Sequence, residues 1–506
     1  MKILLKNTAA VTLSALLLAT GVSSCDTNQL DPIPETSFSD QVVFDTPARI
    51  ALQVNNLYAY VKSGSFLGGR YQVYGDVRAD DFINRTSNAV TALQVWNHTL
   101  TETSTNDVIN TWGAAYSAIN QANVFLAGLE ANSAKYVVPA FAADFATVTV
   151  PRYQAEARFL RALSYYSLLQ LYARPYIDGN GSKPGLPLRL QAETGAGGND
   201  LARSTVAEVY AQILEDLNFA EQNLPTAYAN ATLNTTRAHR NTAIALKTRV
   251  YLTMGQYANV VTEANKLVPT SAPYTAARGV ANGLNSSIVN VFASPQETTE
   301  SILSFPFTAQ NTPGTQNQLG FYYLPTRNDS VPEATGGGEY YLNAAGIIAN
   351  RTALSITDST ADVRYAKFVV ISGGNSYLAK YPGGTPYIDK APVIRYAEVM
   401  LSLSEALFRT NGAADTRALA LLNAVRTRSK GTAYASFAST DAAVNAVLLE
   451  RRIEFLGEGI RNIDIMRLNA PIPGKGSVSA VPPSSDNYVW PIPATELQTN
   501  SLITRN

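Results

Sequence analysis

Three glutamates, Glu450, Glu454 and Glu458, recur every fourth residue in Leu449-Glu450-Arg451-Arg452-Ile453-Glu454-Phe455-Leu456-Gly457-Glu458-Gly459-Ile460-Arg461. On a helix that spacing puts all three on one face. Paired carboxylates hydrolyse glycosidic bonds, provided one of them holds a proton near neutral pH. The neighbours argue against that chemistry. Arg451, Arg452, Arg461 and Arg467 lie close by, and cations lower a carboxylate pKa rather than raise it into the range of a general acid. The segment therefore reads as an ion-pair network between the last helices. The same holds for Glu156, framed by Arg152, Arg158 and Arg161, and for Glu398 and Glu405. With two histidines (His98 and His239) and one cysteine, a zinc or iron site is not expected. Neither a nucleophile elbow nor a His-Glu-x-x-His helix occurs, and Gly474-Lys475-Gly476-Ser477 lacks the leading glycine of a phosphate loop. Asp178-Gly179-Asn180-Gly181 begins like a calcium loop, but its glycine spacing and closing glutamate fail. It reads as a turn. No cofactor is expected.

The single cysteine, Cys25, closes Leu17-Leu18-Ala19-Thr20-Gly21-Val22-Ser23-Ser24-Cys25. Lys2 and Lys6 precede a largely apolar run from Ala9 to Val22. A charged start, an apolar middle and small residues before the cut are the parts of a secretory signal, and a cysteine at the cut resembles a bacterial lipoprotein signal. Residues 1–24 are thus expected to be removed and Cys25 to carry acyl chains. Each buried methylene contributes about 0.8 kcal/mol, so several chains hold a soluble body on a membrane. Residues 25–46 then read as a lipidated tether and docking segment. Two of the 39 basic residues lie in the signal, leaving 37 against 39 acidic ones, a formal charge of −2. That balance argues against a nucleic-acid partner.

The elements that must position any site are mostly helices. Apolar residues at helical spacing mark Ile50 to Val61, Asn106 to Leu129 and Arg152 to Tyr172. Arg203-Ser204-Thr205-Val206-Ala207-Glu208 resembles a capping box, with Thr205 or Ser204 as the cap and Glu208 reaching back, that opens a helix ending at Leu224-Pro225. Gly255-Gln256-Tyr257 reads as the turn of a tetratricopeptide-type helix pair. Residues 47–272 form one helical region. Residues 273–393 differ, being rich in Gly, Pro, Asn, Ser and Thr, with short strands expected at Ser301 to Phe307 and Lys367 to Ile371; a loop region this long is usually functional. Helical patterns resume over residues 394–506. The 27 tyrosines suit either helix packing or a ligand surface, since each offers a ring and a hydroxyl.

Several stretches together resemble the SusD/RagB family of outer-membrane nutrient-uptake lipoproteins. They are Leu30-Asp31-x-x-Pro34 after the cysteine, Tyr153-Gln154-Ala155-Glu156-Ala157-Arg158-Phe159-Leu160-Arg161-Ala162, Ile394-Arg395-Tyr396-Ala397-Glu398-Val399-Met400-Leu401 and Leu422-Asn423-Ala424-Val425-Arg426-Thr427-Arg428. Glu450-Arg451-Arg452-Ile453-Glu454-Phe455 with Gly457-Glu458-Gly459-x-Arg461, and Trp490-Pro491-Ile492-Pro493 with Glu496, complete the set. The resemblance implies a mainly α fold, with tetratricopeptide-like helix pairs in a right-handed superhelical body, long loop insertions and a few short strands. It implies no enzymatic activity, a place on the cell surface at the outer membrane, and delivery of an oligosaccharide to a TonB-dependent SusC-like barrel. A peptide ligand is the alternative. It also points to two regions for the ligand face. Tyr74, Arg78, Asp81, Asn84, Arg85 and Trp96 are expected from the first, with Trp96 alternatively a core residue. Tyr322, Tyr323, Tyr340 and Tyr341 are expected from the second. Tyr322 and Tyr323 are adjacent, so on an extended segment at least one should face solvent.

Overall fold

A computed structural model describes residues 42–195, 197–348 and 362–506. Cys25 and the tether lie outside the described residues. Residues 42–51 belong to one unit and the chain from Leu52 to a second, the boundary falling inside helix α1 (Pro47–Val61). In the first unit a turn precedes the helix, with Arg49 Nη1 donating to the Val42 carbonyl at 3.1 Å. Proline opens α1, where its missing N–H costs nothing.

The second unit is a succession of packed helices. After α2 (Arg70–Val77) come α3 (Asn110–Ala131), α4 (Val150–Tyr172), α5 (Val206–Asn223), α6 (Arg240–Thr253) and α7 (Tyr257–Ala264). Each of α3 to α7 packs on the next, and α7 packs on α9 (Tyr396–Asn411). That helix in turn packs on α10 (Thr416–Arg428) and α11 (Thr440–Glu454). The order is that of stacked helix pairs. α4 lies in the middle: every residue from Phe159 to Tyr172 is buried, and the polar ones among them, Arg161, Ser164, Ser167 and Gln170, are hydrogen-bonded, as burial of polar groups requires. The capping box forms as expected, with Glu208 N donating to Thr205 Oγ1 at 3.2 Å and Thr205 N to Glu208 Oε2 at 2.7 Å. Gly255 takes φ +71° between α6 and α7, a left-handed turn that favours glycine.

Among the described residues there are seventeen α-helices and six short strands. β1 (Phe82–Asn84) pairs antiparallel with β3 (Tyr340–Leu342). β2 (Ser301–Phe305), wholly buried, pairs with β6 (Ala391–Arg395). β4 (Val369–Ser372) and β5 (Asn375–Leu378) form a hairpin around Gly373 and Gly374, both at positive φ as the tight hairpin turn requires. The expected strand at 301–307 thus appears as β2, and the one at 367–371 begins later because Val363–Phe368 is helical. Residues Leu319–Tyr323 form a short helix, α8, rather than an extended segment.

Candidate functional site

Glu450 and Glu454 lie on α11, but the helix ends at Glu454, and Glu458 falls in the turn beyond it, where Gly457 and Gly459 take positive φ; all three glutamates are buried. Glu454 accepts from Arg364 at 3.0 Å, Arg395 at 3.0 Å and Arg428 at 2.5 Å. Glu450 accepts from Arg364 and Arg426, and Glu458 from Arg395 and Lys380. Glu300 joins through Arg395 and Arg428, and Asp362 through Arg364. Burial alone would raise the Glu454 pKa, but Arg428, Arg395 and Arg364 together hold it well below the carboxylate range. This carboxylate cannot store a proton for acid catalysis. The partners correct the sequence reading. Arg451 and Arg467 bind Asp464 instead, whose pKa falls to about 2 as they outweigh its burial. Arg452 and Arg461 bind Asp80 and Asp81. Residues adjacent on a helix point in different radial directions, so the counter-charges come from other elements. Glu156 shows the same error. Arg158 and Arg161 bind Asp216, while Glu156 is held by Arg237 at 2.6 Å and by the Tyr58 hydroxyl at 2.8 Å. Its pKa is raised, because burial outweighs both partners.

Six of the residues expected on a ligand face are buried. Tyr74 meets the Trp490 ring edge-on at 5.0 Å. Arg78 donates to the carbonyls of Asn487 and Tyr488 at 3.1 and 2.7 Å. Asp81 is closed off by Arg452. Tyr322 stacks on Tyr340 with centroids 6.3 Å apart, and Tyr323 donates to Asp76 Oδ2 at 3.3 Å. All three of those tyrosines have no exposed surface. The expectation that Tyr322 or Tyr323 faces solvent is therefore wrong. It rested on two-residue alternation, whereas a helical turn directs neighbours about 100° apart, and here both directions meet packed protein.

The other four keep solvent surface. Arg85 is exposed and clamps the carbonyls of Gly338 and Gly337 at 2.5 and 2.7 Å. Asn84 and Tyr341 are half-buried, and Tyr341 pairs across the ribbon with Ile83. Tyr341 also meets the Tyr377 ring at 6.2 Å. Trp96 is half-buried at the end of the short helix Leu93–Trp96. Its indole Nε1 donates to the Phe82 carbonyl at 2.9 Å, and the Lys475 ammonium sits 5.7 Å from its ring centroid. The ring is thus held at one edge by β1 and forms part of a cleft of about 570 Å³. Trp96, Asn97 and His98 make one wall, and residues 477–482 with Ser485 and Asn487 the other. Gly476, which precedes Ser477 of the second wall, lies beside Ile83 of β1.

Two basic groups under the cleft are drawn towards neutrality. Burial, then the nearby Arg78, lowers Lys475 to about 7. Burial, then Lys475, lowers His98 to about 4. Lys475 Nζ donates to the Arg78 carbonyl at 2.7 Å and lies 3.2 Å from His98 Nε2. The cleft therefore offers an aromatic ring, hydroxyls, amides and weakly charged bases. Its second wall was missed in sequence because no local signal pairs residues 477–487 with Trp96.

A stack of helix pairs carrying clefts on its loops is the architecture of a helical-repeat binding scaffold. Residues 220–506 match the model described as "SusD family", and residues 30–252 match one described as "Starch-binding associating with outer membrane". The chain belongs to the SusD family. It is 32% identical to a SusD superfamily protein from Bacteroides fragilis, covering 91% of this chain and 100% of that one, with a TM-score of 0.78. It is 22% identical to SusD-like protein P38 of Formosa agariphila over 97% of each chain. A protein described as a laminarin-binding SusD-like protein shares the fold at a TM-score of 0.68 and 21% identity, over 92% of this chain and 99% of that one. No described helix is long and apolar enough to cross a membrane.

Proposed function

We propose that this chain is a surface lipoprotein, anchored through Cys25, that binds an oligosaccharide without cleaving it. It then delivers the ligand to a TonB-dependent SusC-like outer-membrane transporter. The observation that carries the binding reading is the Trp96 cleft. A sugar presents apolar C–H faces that stack on an aromatic ring and hydroxyls that need planar or hydroxylic partners. A half-exposed indole fixed by its own N–H supplies the first at little entropic cost, and the surrounding serines and asparagines supply the second. The family description of starch binding at the outer membrane supports the same reading, as does the laminarin-binding neighbour. The ion-locked glutamates of α11 support binding without hydrolysis. Arg85 and Tyr341 extend the proposed face along the ribbon, whereas Asn84 is paired with the buried Tyr340 on its inner side. The test is calorimetric titration of a glycan panel against the soluble chain from residue 26. Trp96→Ala is expected to weaken binding at least tenfold, about 1.4 kcal/mol, with a thermal midpoint near wild type. Unchanged affinity would remove the Trp96 cleft from the site.

A further inference from the structure

The second wall of the Trp96 cleft begins as a hairpin loop, and one side chain ties its tip to the first wall. The arms meet at two rungs, Ile472 with Val481 and Lys475 with Val478. The inner rung is rooted in the core, where Ile472 and Val481 are buried with Ile465, Met466 and Tyr488. The outer rung closes a two-residue turn, Gly476-Ser477, with Gly476 at φ +54°. Ser477 and Ser479 are exposed at this tip, but Lys475 is only 4% exposed. Its Nζ lies 2.7 Å from the Arg78 carbonyl, 3.2 Å from His98 Nε2 and 5.7 Å from the Trp96 ring centroid. His98 Nε2 lies 2.9 Å from the same carbonyl. An ammonium has three N–H groups and no lone pair. Here it would find one carbonyl and a ring nitrogen that competes for that carbonyl. A neutral amine fits better: it donates to the Arg78 carbonyl while its lone pair faces the His98 Nε2–H. The surrounding charges act the same way. The Arg78 guanidinium opposes a second cation, and Asp80 favours one but is engaged by Arg452 and Arg461. His98, lowered to about 4, is uncharged at neutral pH. Burial is the largest effect, and the sum brings Lys475 down to about 7.

We infer that Lys475 is a positioning residue of the glycan cleft: as a neutral amine it latches the hairpin tip to the Trp96 wall, and it lets go when it takes up a proton. This rests on the glycan reading of the Trp96 cleft and names its regulation. The direction follows from linkage. Once the tip has lifted and Lys475 stands in water, its pKa returns to the ordinary 10.5. Between about pH 7 and that value the open form holds a proton that the closed form lacks. Raising the pH there favours closure, by up to about tenfold per pH unit. Below that window both forms are protonated and the balance no longer moves. Trp112 and Trp490 are buried and Trp96 is half-buried, so a neutral quencher in solution reads Trp96. The test follows acrylamide quenching of tryptophan fluorescence in the soluble chain from about pH 7 to 9, where Arg78, lowered only to about 10, stays charged. Quenching should fall as the pH rises, and calorimetric affinity for a laminarin oligosaccharide should rise with it. Lys475→Met and Lys475→Gln do not titrate, and the glutamine keeps a donor for the Arg78 carbonyl; both should show neither slope. A flat quenching profile in the wild type, or the same slope in both variants, would overturn the latch. Quenching decides this whether or not laminarin binds. A quenching slope with flat affinity would overturn the positioning role and leave the glycan reading standing, provided Trp96→Ala still weakens binding. Binding indifferent to Trp96→Ala would overturn the glycan reading, and the positioning role with it.

Discussion

Removing one charge from the buried network of α11 gives the sharpest test of its structural role. Around Glu454 the carboxylates are Glu300, Asp362, Glu450, Glu454 and Glu458, and the cations Arg364, Lys380, Arg395, Arg426 and Arg428, five of each. Glu454 has no exposed surface and touches three of those arginines within 3.0 Å. Glu454→Gln keeps the shape, removes the charge and leaves one buried cation in excess. Breaking such a pair from one side costs about 3–5 kcal/mol. Unfolding entropy is about 2.1 cal/mol/K per residue, so for a body this large the thermal midpoint should fall by roughly 3–5 °C. Differential scanning calorimetry reads the shift, and glycan titration should find affinity unchanged. The double variant Glu454→Gln/Arg428→Met restores the balance and should recover part of the loss. A variant that melts like wild type, or one that keeps its midpoint but loses binding, would refute the structural assignment.

Three further outcomes are expected. Tyr322→Ala removes a ring with no exposed surface and should cost about 3–5 kcal/mol of stability; affinity measured well below the midpoint should change little, and a loss of affinity at unchanged stability would return Tyr322 to the ligand face. His239 is fully buried and burial lowers its pKa to about 4, so the unfolded chain binds a proton that the folded one does not between pH 6.5 and 4. Stability should therefore fall by up to about 3 kcal/mol as pH drops through that window. His239→Asn should flatten this part of the denaturant-midpoint profile, and an unchanged slope would contradict the reading. Cys25→Ala should leave the protein folded but release it from sedimented outer membranes when the partner barrel is absent; continued sedimentation would rule out the lipid anchor.

Features governed by neighbouring residues were legible in the sequence. Thr205 and Glu208 form their capping box because both partners lie within one turn, and Gly255 turns the chain between α6 and α7 because only local backbone freedom is involved. The density of arginine around Glu450, Glu454 and Glu458 was enough to argue against a general acid, since charge sign acts whichever arginine supplies it. Which arginine does so was a tertiary matter. Arg364, Arg395 and Arg428 come from other elements, while Arg451 and Arg452 point away from the glutamate face. Tyr322 and Tyr323 went wrong for a related reason: a five-residue apolar run does not declare its period, and packing chose the helix. The Trp96 cleft was least legible of all. His98 and Lys475 meet across 377 positions. Such juxtapositions follow from how the packed helices aim their loops, a long-range result that no short window of sequence contains.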